Sequence, residues 1–253
     1  MPNERLRDAL DRVAITPEEL ATKLAVDPKT VERWITLGRA PHRRTRHAIA
    51  ALVREAETYL WPDALTQDQR ARVAESEVVH VYPHRAAVPA DVWHRLFATA
   101  TESVDILMYS GMFLPDQNPH LAEMLSDKAA QGVRVRILLG DPDSSQVAAR
   151  GAEEGIEGAM ASKIRNVLVH YAPAATQPGV EVRLHGTTLY NSLYRFDGDL
   201  LVNSHIYGFP AAHAPVLHVR KLSAGVLFDT YIESFKKVWE RARPAPTCES
   251  AAR

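Results

Sequence analysis

Apolar positions in the first sixty residues recur at helical spacing in short runs, and each run opens on a capping residue. Thr16-Pro17-Glu18-Glu19 is a capping box with proline at the first helical position. Leu20 and Leu24 then share a face. Asp27-Pro28-Lys29-Thr30 opens the next helix in the same way, Val31 and Trp34 follow three apart, and Gly38 marks the exit. From His47 to Trp61 the period continues, with Ile49, Leu52, Val53 and Ala56 inward. Residues 1–61 therefore read as an all-α domain of four or five short helices.

Residues 62–88 break that rhythm with Pro62 and Pro83 and read as a connector, with a helix from Gln67 to Ser76 and an extended piece from Val78 to Tyr82. From residue 89 the pattern alternates. Helices are predicted over 91–100, 118–130, most of 146–169 and 229–243. Between them lie strands at 104–109, 133–139, 180–184 and 216–219, and a hairpin of 189–196 with 200–206 around Asp197-Gly198. Strands mixed with covering helices give an α/β layer fold, whose strand-end loops are the expected ligand site. The second domain is set at 89–243, with a flexible tail at 244–253.

Composition adds limits. The 253 residues are enough for a small domain plus a larger one. A formal charge of -1 gives no global pull on a polyanion, so nucleic-acid binding requires a local patch. Such a patch exists: from Arg33 to Arg54 there are six arginines and no acidic residue. The single cysteine, Cys248, permits no intrachain disulfide and fits a reducing, cytoplasmic compartment. No basic leader with an apolar stretch opens the chain, and no apolar run is long enough to span a membrane. The histidines and acids show no tight ligand spacing, so neither a metal nor a cofactor is expected.

The helices at 17–24 and 28–34, with Ala25, Val26 and Asp27 between them, have the spacing of a helix-turn-helix. Lys29, Thr30, Glu32 and Arg33 form the polar face of the second helix, placed to read bases in double-stranded DNA. Arg39, Arg43, Arg44 and Arg46 supply phosphate contacts. The pattern Leu20-Ala21, Leu24, Val26, Thr30-Val31 and Trp34 resembles the helix-turn-helix domains of the lambda-repressor and Cro superfamily, over about residues 5–55. That resemblance implies a homodimer on palindromic sites.

Residues 91–241 resemble a phospholipase D-like domain. The likeness is carried by Val104 to Gly111, by the helix-turn-strand unit Ala129 to Leu139, by Val180 to Leu184, and by Phe196-Asp197-Gly198 at the end of an HxKxxxxD signature. In that family a histidine attacks phosphorus, a second protonates the leaving group, and lysines stabilise the equatorial oxygens. Here the histidine position falls on Tyr190 and the lysine position on Ser192, and only one candidate copy of the signature is present. The resemblance therefore implies the fold without its standard reaction, a pairing met in actinobacterial regulators.

The expected function is a DNA-binding transcriptional regulator whose degenerate phospholipase D-like domain senses a small-molecule effector, dimerises, or both. Ser110, Asp141, Tyr190, Ser192, Tyr194, Asp197, His205 and Tyr207 are the candidate ligand-binding residues. No catalytic residue is assigned. The alternative is a phosphodiesterase or nuclease with a relocated nucleophile, His205, and a third reading is a dimerisation module with no ligand.

Overall fold

A computed structural model describes residues 2–55, 57–61, 64, 76–222 and 225–246. The expected helix from Gln67 and Cys248 lie outside the described residues. The chain forms two compact units, Met1–Glu77 with Lys221–Asp229, and Val78–Arg220 with Thr230–Arg253.

The first unit is all-α: α1 (Glu4–Arg12), α2 (Pro17–Leu24), α3 (Pro28–Thr36), α4 (Arg43–Val53) and α5 (Glu57–Leu60). Each start has its own chemical cause. The Asn3 side-chain Oδ1 accepts from the Leu6 amide, and Thr16 and Glu19 complete the reciprocal capping box. Asp27 accepts from the Lys29 amide. The α2–α3 turn closes because Ala25 takes a left-handed conformation (φ 53°), which lets its N–H reach back to Ala21 and Thr22. Leu6, Leu10, Leu20, Val31, Trp34 and Ile49 pack into one core. The single helix expected from His47 to Trp61 is two, because Arg54 turns left-handed (φ 55°) and ends α4.

The second unit carries an eight-stranded mixed sheet in the order β1-β7-β6-β5-β2-β3-β4-β8. Its strands are β1 (Val78–Tyr82), β2 (Ser103–Leu107), β3 (Arg134–Gly140), β4 (Val180–His185), β5 (Asn191–Phe196), β6 (Asp199–Ser204), β7 (Val216–Arg220) and β8 (Arg243–Pro244). β2 runs parallel to β3, and β3 to β4; the other neighbours are antiparallel. The helices are α6 (Ala90–Thr99), α7 (Phe113–Gln117), α8 (Leu121–Ala130), α9 (Ser145–Glu153), α10 (Ala159–Ala175) and α11 (Leu227–Arg241). Val78–Tyr82, expected as an extended piece of the connector, forms a strand at the sheet edge paired with β7. The chain after residue 243 first pairs with β4, and the Ala245 amide donates to Val182.

β2 is buried along its whole length. Its Val104 and Ile106 share a face with Phe196 and Tyr194, their partners on β5. Phe97 packs edge-on against Phe196 and Trp93 against Tyr194, with ring centroids 4.6 and 5.1 Å apart. The other face carries charge. Asp105 is fully buried between the Arg136 Nε (2.7 Å) and an Arg195 guanidinium nitrogen (3.0 Å). Arg136 lies over Phe235 and Trp239, and Arg183 over Trp239, so cation–π contacts seat α11 on the sheet.

Replacing Asp105 with alanine removes the carboxylate shared by two guanidiniums that have little access to water. Breaking such a buried pair costs about 3–5 kcal/mol. Urea unfolding of Asp105→Ala is expected to show a loss of that size, and a loss below about 1 kcal/mol would contradict a structural role for the triad.

Candidate functional site

The strand ends of β2 and β5 and the loop after β6 enclose a cleft of about 290 Å3. Four expected residues meet there: Ser110, Ser192, Tyr194 and His205. Tyr109 ends the β2 run, and Gly111 at φ +63° turns the chain, with the Met108 thioether occupying the space a Cβ would need.

A short hydrogen-bond chain on the cleft floor runs from Ser192 through His205 to Leu189. Leu189 offers only a carbonyl to His205 Nδ1 (3.2 Å), so Nδ1 carries the proton and Nε2 is an acceptor. Ser192 Oγ donates to that Nε2 at 3.0 Å. Burial raises the Tyr194 pKa, and the Arg85 charge and the Ser192 and Arg85 side chains beside its oxygen partly offset that rise. Burial, with help from the nearby Arg150 charge, lowers the His205 pKa to about 4. Burial likewise takes His185 down to about 4, beneath the Met108 carbonyl it bonds at 3.2 Å. Tyr109 stacks on His205 at 5.5 Å, and its oxygen accepts from the Leu189 amide at 2.9 Å. Burial raises its pKa, so the phenol keeps its proton.

The loop after β6 is held by Arg150. Its guanidinium pairs with Glu153 and Glu154 and donates to the Phe209 carbonyl at 2.8 Å and to that of Ile206 at 3.5 Å.

The other four expected residues lie elsewhere. Tyr190 is 79% exposed and lines a separate depression with Thr187, Thr188 and Lys237. It precedes β5, outside the strand alternation that would have turned it inward. Tyr207 is also 79% exposed. Asp141 is bound to Arg243 at 2.9 Å. Asp197, at φ 50°, caps the start of β2, accepting from the amides of Thr101, Glu102 and Ser103 at 2.7, 2.9 and 2.7 Å. Those bonds hold its pKa low against the opposing effect of burial. It is a fold clamp and touches no part of the cleft. Sequence reasoning missed Arg85, Tyr109 and Lys163, which line the cleft. Arg85 lay in the supposed connector, and Tyr109 carried a signal only as the last apolar residue of its strand.

In the first unit, Lys29, Glu32, Arg33, Arg39, Arg43 and Arg44 are exposed, and Thr30 is half-buried. Arg46 is not available: its guanidinium pairs with Glu57 (3.2 Å) and the Pro41 carbonyl (3.0 Å). Arg43 and Arg44 open α4, which has no acidic residue in its first turn and no side-chain cap. Like charge at a helix N-terminus is unfavourable in isolation and favourable once an anion docks there.

No protein-family model matches the chain, and no curated protein matches it. Among solved structures it is similar to TrmBL2, an archaeal chromatin protein whose structure shows a novel mode of DNA binding. That match has TM-score 0.41 and 12% identity and covers 80% of this chain; the chain spans 62% of the TrmBL2 length. It is also similar to Nuc from Salmonella typhimurium, a phospholipase D family member, with TM-score 0.39 and 16% identity over 66% of this chain and 99% of that one. At these values the functional argument rests on the chain's own residues. Among the described residues, no helix is long and apolar enough to cross a membrane, and no three His, Cys, Asp or Glu side chains gather as a metal set.

The two neutral histidines set an acid limit. Their folded pKa values lie below the ordinary 6.5, so the unfolded chain binds protons first, and stability falls as pH drops from about 6.5 to about 4. Each contributes a loss of about 3 kcal/mol across that window. Thermal melts are expected to show this slope, and His205→Gln to remove about half of it. An unchanged slope in the variant would contradict the assignment.

Proposed function

We propose that the protein is a DNA-binding transcriptional regulator, working as a homodimer, whose second unit binds a small effector in the Ser192–Tyr194–His205 cleft. One observation carries the reading of the first unit: the exposed face of α3, the loop after it and the start of α4 hold Lys29 and Arg33, Arg39, and Arg43 and Arg44 in turn, and among the described residues none of these side chains has a bonded partner. Side chains on α3 meet base edges, and those at the start of α4 meet phosphates. One helix of this length covers a half-site, which is the reason for proposing two copies on a palindrome.

The second unit supports binding over phosphoryl transfer. A phospho-intermediate needs a histidine nucleophile and cationic stabilisation of the phosphoryl oxygens. The floor here is neutral, with Ser192 at the lysine position of the resembled signature. The Ser192–His205 bond has the form of a nucleophile–base pair, but a general base is most effective with a pKa near the working pH. At about 4, His205 is a weak one. Effector occupancy changes DNA affinity only if the two states contact it differently.

Selection from a random duplex library by the full-length protein is expected to return a palindromic sequence. Recovery of no preferred sequence would overturn the reading. Arg43→Ala and Arg44→Ala are each expected to lower affinity for all duplexes and to reduce the salt slope by about 1. Lys29→Ala and Arg33→Ala are expected to cost about 1–3 kcal/mol on the preferred site and to relax its sequence. Arg46→Ala is expected to lower the melting temperature, because the Glu57 and Pro41 contacts are lost.

A further inference from the structure

We infer that the cleft is a carboxylate site, taking a small monocarboxylate with an apolar body. This rests on the effector reading above and names the class of molecule.

Along the floor, Ser192 donates to His205 and His205 to the Leu189 carbonyl, so neither proton is left for a ligand. Three groups still offer protons to the cleft. The Tyr109 oxygen accepts from the Leu189 amide, but its own proton has no acceptor among the described residues, although the side chain is only 6% exposed. The Lys163 ammonium lines the cleft without a bonded partner among the described residues. Arg85 spans the Phe113 ring at 3.9 Å, and its guanidinium has more donors than the Tyr194 oxygen beside it can engage. A buried donor without an acceptor carries a desolvation cost, which an acceptor-rich ligand relieves.

Charge narrows the class. Two cations, Arg85 and Lys163, and two acids, Asp116 and Glu154, line the cleft. Glu154 is bound to Arg150 at 2.7 Å, which leaves Asp116 as the only lining carboxylate without an ion pair among the described residues. Arg150 is shared by Glu153 and Glu154, so the lining has no surplus charge to offer a dianion, while Arg85, Lys163 and the Tyr109 hydroxyl remain as donors for a single carboxylate. A phosphate dianion would face a neutral floor, because Ser192 and an unprotonated imidazole supply no charge where it would have to be buried. The walls are soft and apolar: Met108, Met112, Phe113 and Met160. Methionine adapts to aromatic and branched bodies, and about 290 Å3 limits the ligand to a small one.

Calorimetry on the full-length protein with four probes tests this: benzoate, benzyl alcohol, benzylamine and phenyl phosphate. Benzoate is expected to bind at least about tenfold more tightly than benzyl alcohol, as a charge-assisted hydrogen bond requires. Arg85→Gln and Lys163→Gln are each expected to lower the ratio of benzoate to benzyl alcohol affinity, and the double variant to bring it to about one. Tyr109→Phe, which keeps the packing, is expected to weaken benzoate about fivefold. A preference for phenyl phosphate or benzylamine, or equal binding of benzoate and benzyl alcohol, overturns the carboxylate assignment while leaving an effector cleft in place. If all four probes also leave the Met108, Met112 and Met160 methyl resonances unmoved, the effector reading falls with it.

Discussion

The second unit is organised around one buried carboxylate. Asp105 sits at the centre of the mixed sheet with no access to water, and its charge is tolerable only because Arg136 and Arg195 reach it from the strands on either side. Parallel pairing on one flank and antiparallel on the other put both arginines directly opposite it. The same arginines extend outward. Arg136 supports α11 through Phe235 and Trp239, and Arg195 reaches the Asp197 carbonyl at the hairpin turn. The register of β2, β3 and β5 is therefore fixed electrostatically on one face, and the opposite face of β5 is free to present Ser192 and Tyr194 to the cleft.

That division explains how a polar cleft can be neutral. Charges needed for folding are gathered on the Asp105 face and at Asp197. The cleft floor holds hydroxyls and an imidazole kept unprotonated by burial. A site of this kind orients a ligand by hydrogen bonds and leaves ionic recognition to its rim, where Arg85 and Lys163 stand. In the first unit the arrangement is the reverse: the core is apolar, and Lys29, Arg33, Arg39, Arg43 and Arg44 lie outside it with no ion pair among the described residues.

Local patterns were legible in the sequence, and long-range polar partners were not. Capping boxes, the helix-turn-helix spacing and the Asp197-Gly198 turn depend on residues within a few positions of one another, so the chain shows them directly. Arg46 read as one more member of a basic run because Glu57, which claims it, follows after the helix breaks at Arg54. Asp141 read as a ligand group because Arg243 lies 102 residues away. Tyr190 followed the strand alternation by number yet falls just before β5 begins. Asp197 is the sharpest case. Its carboxylate is needed to close the chain onto the amides of Thr101, Glu102 and Ser103, so its presence reports a fold and carries no information about a reaction.

Arg150 bears on the order in which the molecule takes shape. Its guanidinium is anchored locally by Glu153 and Glu154 within one helix, but the carbonyls it holds, at Ile206 and Phe209, are 56 and 59 residues further along. The local pairs can form with the helix, whereas the distant ones must wait for a long closure whose entropic cost is met only after the sheet has assembled. The wall of the cleft that carries His205 is then a late event in folding. Slowing that step would leave a molecule with its sheet and the helices of its first unit complete and its cleft still open.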